Sequence, residues 1–140
     1  MRILFLFLVG FFWGNSDPKE TVDLTIVVTN IKTITGRVEV GVFNQSKTFL
    51  QKGKSYKSYN VKVTDNVVTI ILKDVPKDYY AVSVYHDKNA DNECNLNFLG
   101  IPREPYGFSK NFKPKLSKPT FDDCKVNTQK NTSIVIKLIN

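Results

Sequence analysis

The chain contains one histidine, two cysteines, one methionine and seven glycines in 140 residues. Two cysteines exclude a disulfide-dense scaffold, no paired-cysteine zinc spacing is present, and seven glycines exclude a collagen-like repeat. A single histidine means that any His-based metal centre or Ser/His/Asp triad would rest on His86 alone. No Gly-rich phosphate loop and no nucleophile elbow occurs. Arginine is scarce, three against seventeen lysines, and the lysines are spread from Lys19 to Lys137 with no run of five. Nucleic-acid binding calls for a concentrated basic stripe, often with arginine for bidentate contacts, so nucleic acid is not the expected partner. No segment keeps helical periodicity for ten residues. With these elements missing, the expectation is a non-enzymatic protein.

What is present begins with MRILFLFLVGFFWGNS, which holds four of the ten phenylalanines and the only tryptophan. Arg2 gives a positive start, Ile3 to Trp13 an apolar run, and Gly14-Asn15-Ser16 the small residues that a signal peptidase reads. The run is about eleven residues, short of the roughly twenty needed for a membrane-spanning helix. The expectation is a signal peptide at 1–16 and a periplasmic or secreted protein of residues 17–140 that does not span the membrane after cleavage. That part carries 19 basic and 13 acidic side chains, a charge of +6. Such an excess keeps an exported domain soluble and attracts it weakly to anionic glycans or lipid headgroups.

The remainder alternates apolar and polar residues with the period of a half-buried strand. Val22, Leu24, Ile26 and Val28 form one face, and Val38, Val40 and Val42 repeat the pattern after a connection at 32–36 that reads as a hairpin. Tyr59 to Val63 and Val67 to Leu72, joined by Asp65-Asn66, read as a second hairpin. A turn at 74–78 leads into Tyr79 to His86, and Thr132 to Leu138 is the last strand, with a weaker one near Lys125 to Thr128. About seven short strands predict an all-β fold, a single immunoglobulin-like or transthyretin-like β-sandwich. One connection between the last strands, 87–122, is about 36 residues and far longer than usual. It carries Phe98, Leu99, Ile101, Tyr106, Phe108, Phe112, Leu116 and Phe121, and is expected to fold back over the sandwich.

Three motifs inside and before that loop occur in order: His86-Asp87-Lys88-Asn89-Ala90-Asp91, Asn97-Phe98-Leu99-Gly100-Ile101-Pro102 and Tyr106-Gly107-Phe108-Ser109. On these the chain resembles, from about Leu24 to its C-terminus, the exported bacterial family called domain of unknown function 2141. The resemblance implies a secreted or periplasmic β-sandwich and attaches no activity to it. Loops of that family often read Asp-x-Asn-x-Asn/Asp-Gly, and here Asn92 stands in the glycine's place. Val75 to Tyr80 also looks like the edge of transthyretin-like and carboxypeptidase-regulatory-like sandwiches, a likeness of fold only.

Asp87, Asn89 and Asp91 alternate after a strand, with Glu93 and Asn95 continuing the series. Oxygens so spaced either converge on a hard cation such as calcium when the backbone curls, or form an Asx-rich turn that bonds its own backbone. A twelve-residue calcium loop wants Gly at its sixth position and Glu at its twelfth, and here those are Asn92 and Phe98. Asn92 can take the left-handed conformation, and Glu104, Asp122 and Asp123 are the candidates to replace the missing carboxylate. Cys94 and Cys124 flank the loop. They are either a disulfide closing about 31 residues, with roughly 3–4 kcal/mol of stabilisation, or two reduced thiols. His86 reads as a structural histidine bonded to the loop. Tyr56, Tyr59, Tyr79, Tyr80, Tyr85 and Tyr106 are either packing residues or a sugar-stacking platform. The functional expectation is an exported binding or interaction module for an envelope or extracellular ligand, with a weak calcium site at Asp87, Asn89 and Asp91. The alternative is an envelope-associated carbohydrate- or peptide-binding protein.

Overall fold

Alternation of Val22, Leu24, Ile26 and Val28 against Asp23, Thr25, Val27 and Thr29 becomes strand β1, Thr21–Thr29, in which every second side chain is buried. The computed structural model describes residues 19–140, so the signal peptide expected at 1–16 lies outside the described residues. Seven more strands follow: β2 Arg37–Phe43, β3 Lys57–Lys62, β4 Val68–Pro76, β5 Tyr79–Asp87, β6 Tyr106–Phe108, β7 Val126–Asn127 and β8 Thr132–Lys137. The protein is an all-β sandwich of two sheets. One sheet has the order β4-β1-β8 and the other β3-β2-β5-β6, with β7 paired to the opposite end of β5.

Both expected hairpins are corrected. β1 and β2 lie in different sheets, as do β3 and β4. Strand β1 pairs antiparallel with β4 and parallel with β8, while β2 pairs antiparallel with β3 and β5. Alternation reports which side chains are buried but not which sheet receives them, since a hairpin and a crossing of the sandwich bury the same residues. The end of β3 shows how the crossing is made. Val63 is buried and its N–H donates to the Gly36 carbonyl at 3.1 Å, which finishes β3 against β2 and sends 64–67 across to the other sheet.

Leu24, Ile26, Val28, Ile70, Leu72 and Ile136 from one sheet meet Val38, Val40, Val42, Tyr80, Val82 and Val84 from the other in the main core. A second apolar cluster sits on the opposite face of β2 and β5, where Phe43 and Ala81 are covered by Phe108, Phe121 and Cys124, with Phe49 and Phe112 at its margin. Phe49 meets Phe43 edge-on at 5.4 Å and Phe121 at 6.0 Å, arrangements that aromatic quadrupoles favour.

The long loop thus folds back over the sandwich from residue 106 onward, but Phe98, Leu99 and Leu116 stand out in solvent, against expectation. Its return begins with β6, a strand that alternation could not reveal because it is three residues long with Gly107 at its centre. A Cβ at Gly107 would lie 2.7 Å from Ile136 Cγ2, so only glycine lets β6 lie this close to β8. Just beyond the end of β8, Tyr106 and Ile139 exchange backbone hydrogen bonds at 3.1 and 2.7 Å and tie the two sheets together at this edge. Ser109 is fully buried: its hydroxyl accepts the Val82 N–H at 2.9 Å and donates to the Cys124 carbonyl at 2.6 Å, occupying the place of the next strand residue. The short helical turn α1, Phe121–Cys124, is opened by a capping box between Thr120 and Asp123.

Candidate functional site

Strand β5 ends in two residues that point to opposite sides. His86, opposite Val38, faces inward and is fully buried, while Asp87, opposite Arg37, faces the other way and is also fully buried. His86 Nε2 lies 2.7 Å from the Thr35 carbonyl, which only a ring N–H can satisfy, and Nδ1 has no partner. The ring is thus anchored on the connection before β2, and not on the long loop to which it was expected to bond. The His86 backbone N–H donates to the Pro105 carbonyl at 2.8 Å, which draws the far end of the loop in beside Asp87.

The Asp87 carboxylate organises the near end. Oδ1 accepts the Asp91 N–H at 3.2 Å and Oδ2 accepts the Asn92 N–H at 2.8 Å. Asp91 in turn accepts the Glu93 N–H at 2.9 Å and the side-chain amides of Asn89 at 2.7 Å and Asn95 at 2.9 Å. These bonds, the one from Asn95 foremost, hold the Asp91 carboxyl below its ordinary range. Ala90 and Asn92 both take positive φ, 56° and 62°, so Asn92 does adopt the conformation of the glycine it replaces. The three predicted residues Asp87, Asn89 and Asp91 are therefore together, in the Asx-rich turn that was one of the two readings.

Above Asp87 the backbone of Gly36 passes so close that a Cβ there would lie 2.0 Å from the Asp87 carbonyl oxygen. With φ of +67°, Gly36 is the one residue type that fits this crossing.

Of the three candidates for a distant carboxylate, one arrives. Glu104 is buried at 7% exposure, and its Oε1 accepts the Lys88 N–H at 3.1 Å while Oε2 has no partner among the described residues. Burial, with the Asp87 and Asp91 charges adding to it, pushes the Glu104 carboxyl above its ordinary value, opposed by the backbone N–H groups of Lys88 and Asn95. Asp122 instead pairs with Lys125 at 2.6 Å, and Asp123 closes the cap of α1. Glu39, on the same face of the sheet as Asp87, is also raised, first by burial and then by Asp87. Tyr85, between them, is pushed up to about 12 by burial and by the Glu39, Asp87, Cys94 and Glu104 charges. Acidic groups thus accumulate here, and none of the three ion pairs found among the described residues lies in this region. No group of three or more His, Cys, Asp or Glu side chains among the described residues converges into a preformed metal cluster.

The cysteines are not bridged: Cys94 is an exposed free thiol and Cys124 a buried one. Packing explains the outcome, since α1 and Ser109 carry Cys124 into the second apolar cluster while Cys94 stays near Glu104. The tyrosines are dispersed over the sandwich. Tyr80 is fully buried against Tyr56, Tyr106 packs on Phe108, and Tyr79 lies under Lys125.

A family model, domain of unknown function 2141, described as an uncharacterized protein conserved in bacteria, matches residues 26–135. No curated protein and no solved structure matches the chain.

Proposed function

This chain belongs to the domain of unknown function 2141 family, and we propose that it is an exported, non-enzymatic binding module whose β5–β6 loop takes up a calcium ion weakly beside Asp87. The observation that carries the reading is Glu104, a buried carboxylate with one oxygen unfilled among the described residues, next to the buried carboxylate of Asp87 and within reach of the charge of the exposed Asp91. A buried charge without a partner is costly, and a hard cation that takes six to eight oxygens relieves it. Each carboxylate oxygen of Asp87 uses one acceptor position on a backbone N–H and keeps another. Glu104, Asp87, Asn89 and Asp91 would supply the ligands. Export is supported by the apolar N-terminal run, and a non-enzymatic role by the burial of the one histidine on a backbone carbonyl.

Calorimetry of the processed protein with calcium, beside Asp87→Ala, Asp91→Ala and Glu104→Gln, tests the site. A saturable heat in the range of about 0.1–1 mM, lost in all three variants, is the expected result. No heat at roughly tenfold above that range, or heat retained in Glu104→Gln, overturns it.

A further inference from the structure

Residues 95–103 form a narrow finger beyond the Asp87 turn. Arg103 N–H donates to the Asn95 carbonyl at 2.7 Å, Leu96 bridges Pro102, and Asn97 N–H donates to the Ile101 carbonyl at 2.8 Å. At the tip Asn97 does the work of a turn by itself. Its side-chain oxygen accepts the N–H groups of Leu99 at 2.9 Å and Ile101 at 3.0 Å, and its carbonyl accepts that of Gly100 at 2.9 Å. With the polar groups turned inward, Phe98 and Leu99 are driven out, at 94% and 68% exposure, with Leu96 and Ile101 beside them. Large apolar side chains grouped on a prebuilt protrusion are a binding feature rather than incidental exposure.

We propose that this finger docks the protein onto an anionic lipid bilayer, with Phe98 and Leu99 entering the acyl region and Lys88 and Arg103 meeting the lipid phosphates. The inference rests on the reading of the chain as a binding module and names its partner. Three features favour a bilayer. The N–H groups of Asn97, Leu99, Gly100 and Ile101 are already satisfied within the finger, which lowers the cost of seating its tip at a lipid interface, whereas a surface that recruits a peptide strand keeps its N–H groups open. Residues 94–102 include no charged side chain, and the exposed Lys88 and Arg103, neither in an ion pair among the described residues, line a pocket of about 290 Å³ at the finger's foot together with Ile101, Pro102 and the carboxylate residue Glu104. The chain as a whole is cationic, +7. The exposed Asp91 and Glu93 near the same place oppose approach to an anionic surface, and a calcium ion at Asp87 and Glu104 offsets two of the four local carboxylate charges.

The test is sedimentation of the processed protein with phosphatidylcholine vesicles, with and without phosphatidylglycerol, in millimolar calcium or in chelator. Binding is expected to anionic vesicles, to rise with calcium, and to fall about tenfold or more in the double variant Phe98→Ser, Leu99→Ser. Leu116→Ser, which alters another fully exposed leucine outside the finger, is expected to bind as the parent does. Binding unchanged in the double variant, equal binding to neutral vesicles, or no binding at all overturns the proposal. So does cross-linking of a benzoylphenylalanine placed at position 98 to a protein rather than to lipid. A calcium titration in solution separates the two readings. Heat without vesicle binding rejects docking and leaves the ion site standing, while finger-dependent binding without heat rejects the ion site and leaves docking.

Discussion

Replacing Glu104 by glutamine keeps the acceptor for the Lys88 N–H and the side-chain volume, removes the charge and puts an amide NH2 in place of the second oxygen. The outcome follows from the direction of the Glu104 shift. Its folded pKa is raised above the ordinary 4.5, so below that ordinary value the group is protonated in both states and costs nothing. As pH rises through the raised folded value the unfolded chain ionises more readily, and stability is lost until the folded carboxyl has also ionised. Leaving a buried charged oxygen unsatisfied costs on the order of 1–3 kcal/mol. In chelator, Glu104→Gln should therefore match the parent near pH 4 and exceed it by about 1–2 kcal/mol at neutral pH. The carboxyls held low by their partners, Asp23, Asp91 and Asp123, destabilise both proteins in acid and largely cancel in the difference.

Calcium at the proposed site should narrow or reverse that difference. With a dissociation constant of about 0.1–1 mM, about 10 mM calcium stabilises the parent by roughly 1.4–2.7 kcal/mol and the variant not at all. Urea unfolding followed by far-ultraviolet circular dichroism, at several pH values with calcium or chelator, measures both arms. If Glu104→Gln were less stable than the parent by about 1 kcal/mol in chelator at neutral pH, the second carboxylate oxygen would have a partner and the reasoning would be refuted.

Ser109→Ala leaves the buried Val82 N–H and Cys124 carbonyl without the hydroxyl that joins them, and should lower the urea-unfolding free energy by about 2–4 kcal/mol; a loss under 1 kcal/mol would mean that the hydroxyl does not stand in for a strand residue. Gly36→Ala forces a Cβ toward the Asp87 carbonyl in a left-handed backbone, so it should cost about 2–4 kcal/mol and weaken calcium uptake together. A thiol reagent should react with the exposed Cys94 in the native protein, slowed because burial and Glu104 raise that thiol, and with the buried Cys124, pushed up to about 12, only after denaturation; two unreactive sulfurs in denaturant would restore the bridge. Thr120→Ala removes one half of the α1 capping box and should cost about 1 kcal/mol by the same unfolding assay.

The strands were legible because a half-buried strand writes its period into the chain, as Val22 to Val28 and Val38 to Val42 do, while β5, buried on both faces at Ala81, was legible by its β-branched and aromatic content. Pairing was not legible, for a physical reason. In a sandwich the inner faces of both sheets are apolar, so Val38, Val40 and Val42 satisfy the same pattern in either sheet. The decision falls to single contacts, such as Val63 on the Gly36 carbonyl, that have no periodic signature. Cysteine spacing misled for a similar reason. The distance along the chain between Cys94 and Cys124 says how large a ring a bridge would close, but not that Phe108, Phe121 and Ser109 bury one sulfur where the other cannot follow.

The candidate site shows where such reading reaches and where it stops. Asp87, Asn89 and Asp91 announce themselves by spacing because their partners are a few residues away, and a local turn is encoded locally. Glu104 entered only as one of three carboxylates, and sorting it from Asp122 and Asp123 depends on the His86 N–H reaching the Pro105 carbonyl across the loop. The finger is the sharper case. Phe98 and Leu99 have the same composition as Phe108 and Phe121, which are buried, so hydrophobicity alone assigns all four to a core. Asn97 makes the difference. By gathering three N–H groups to its own carbonyl and side-chain oxygens it closes the turn on its polar side, and the apolar side chains have only the outside left to occupy.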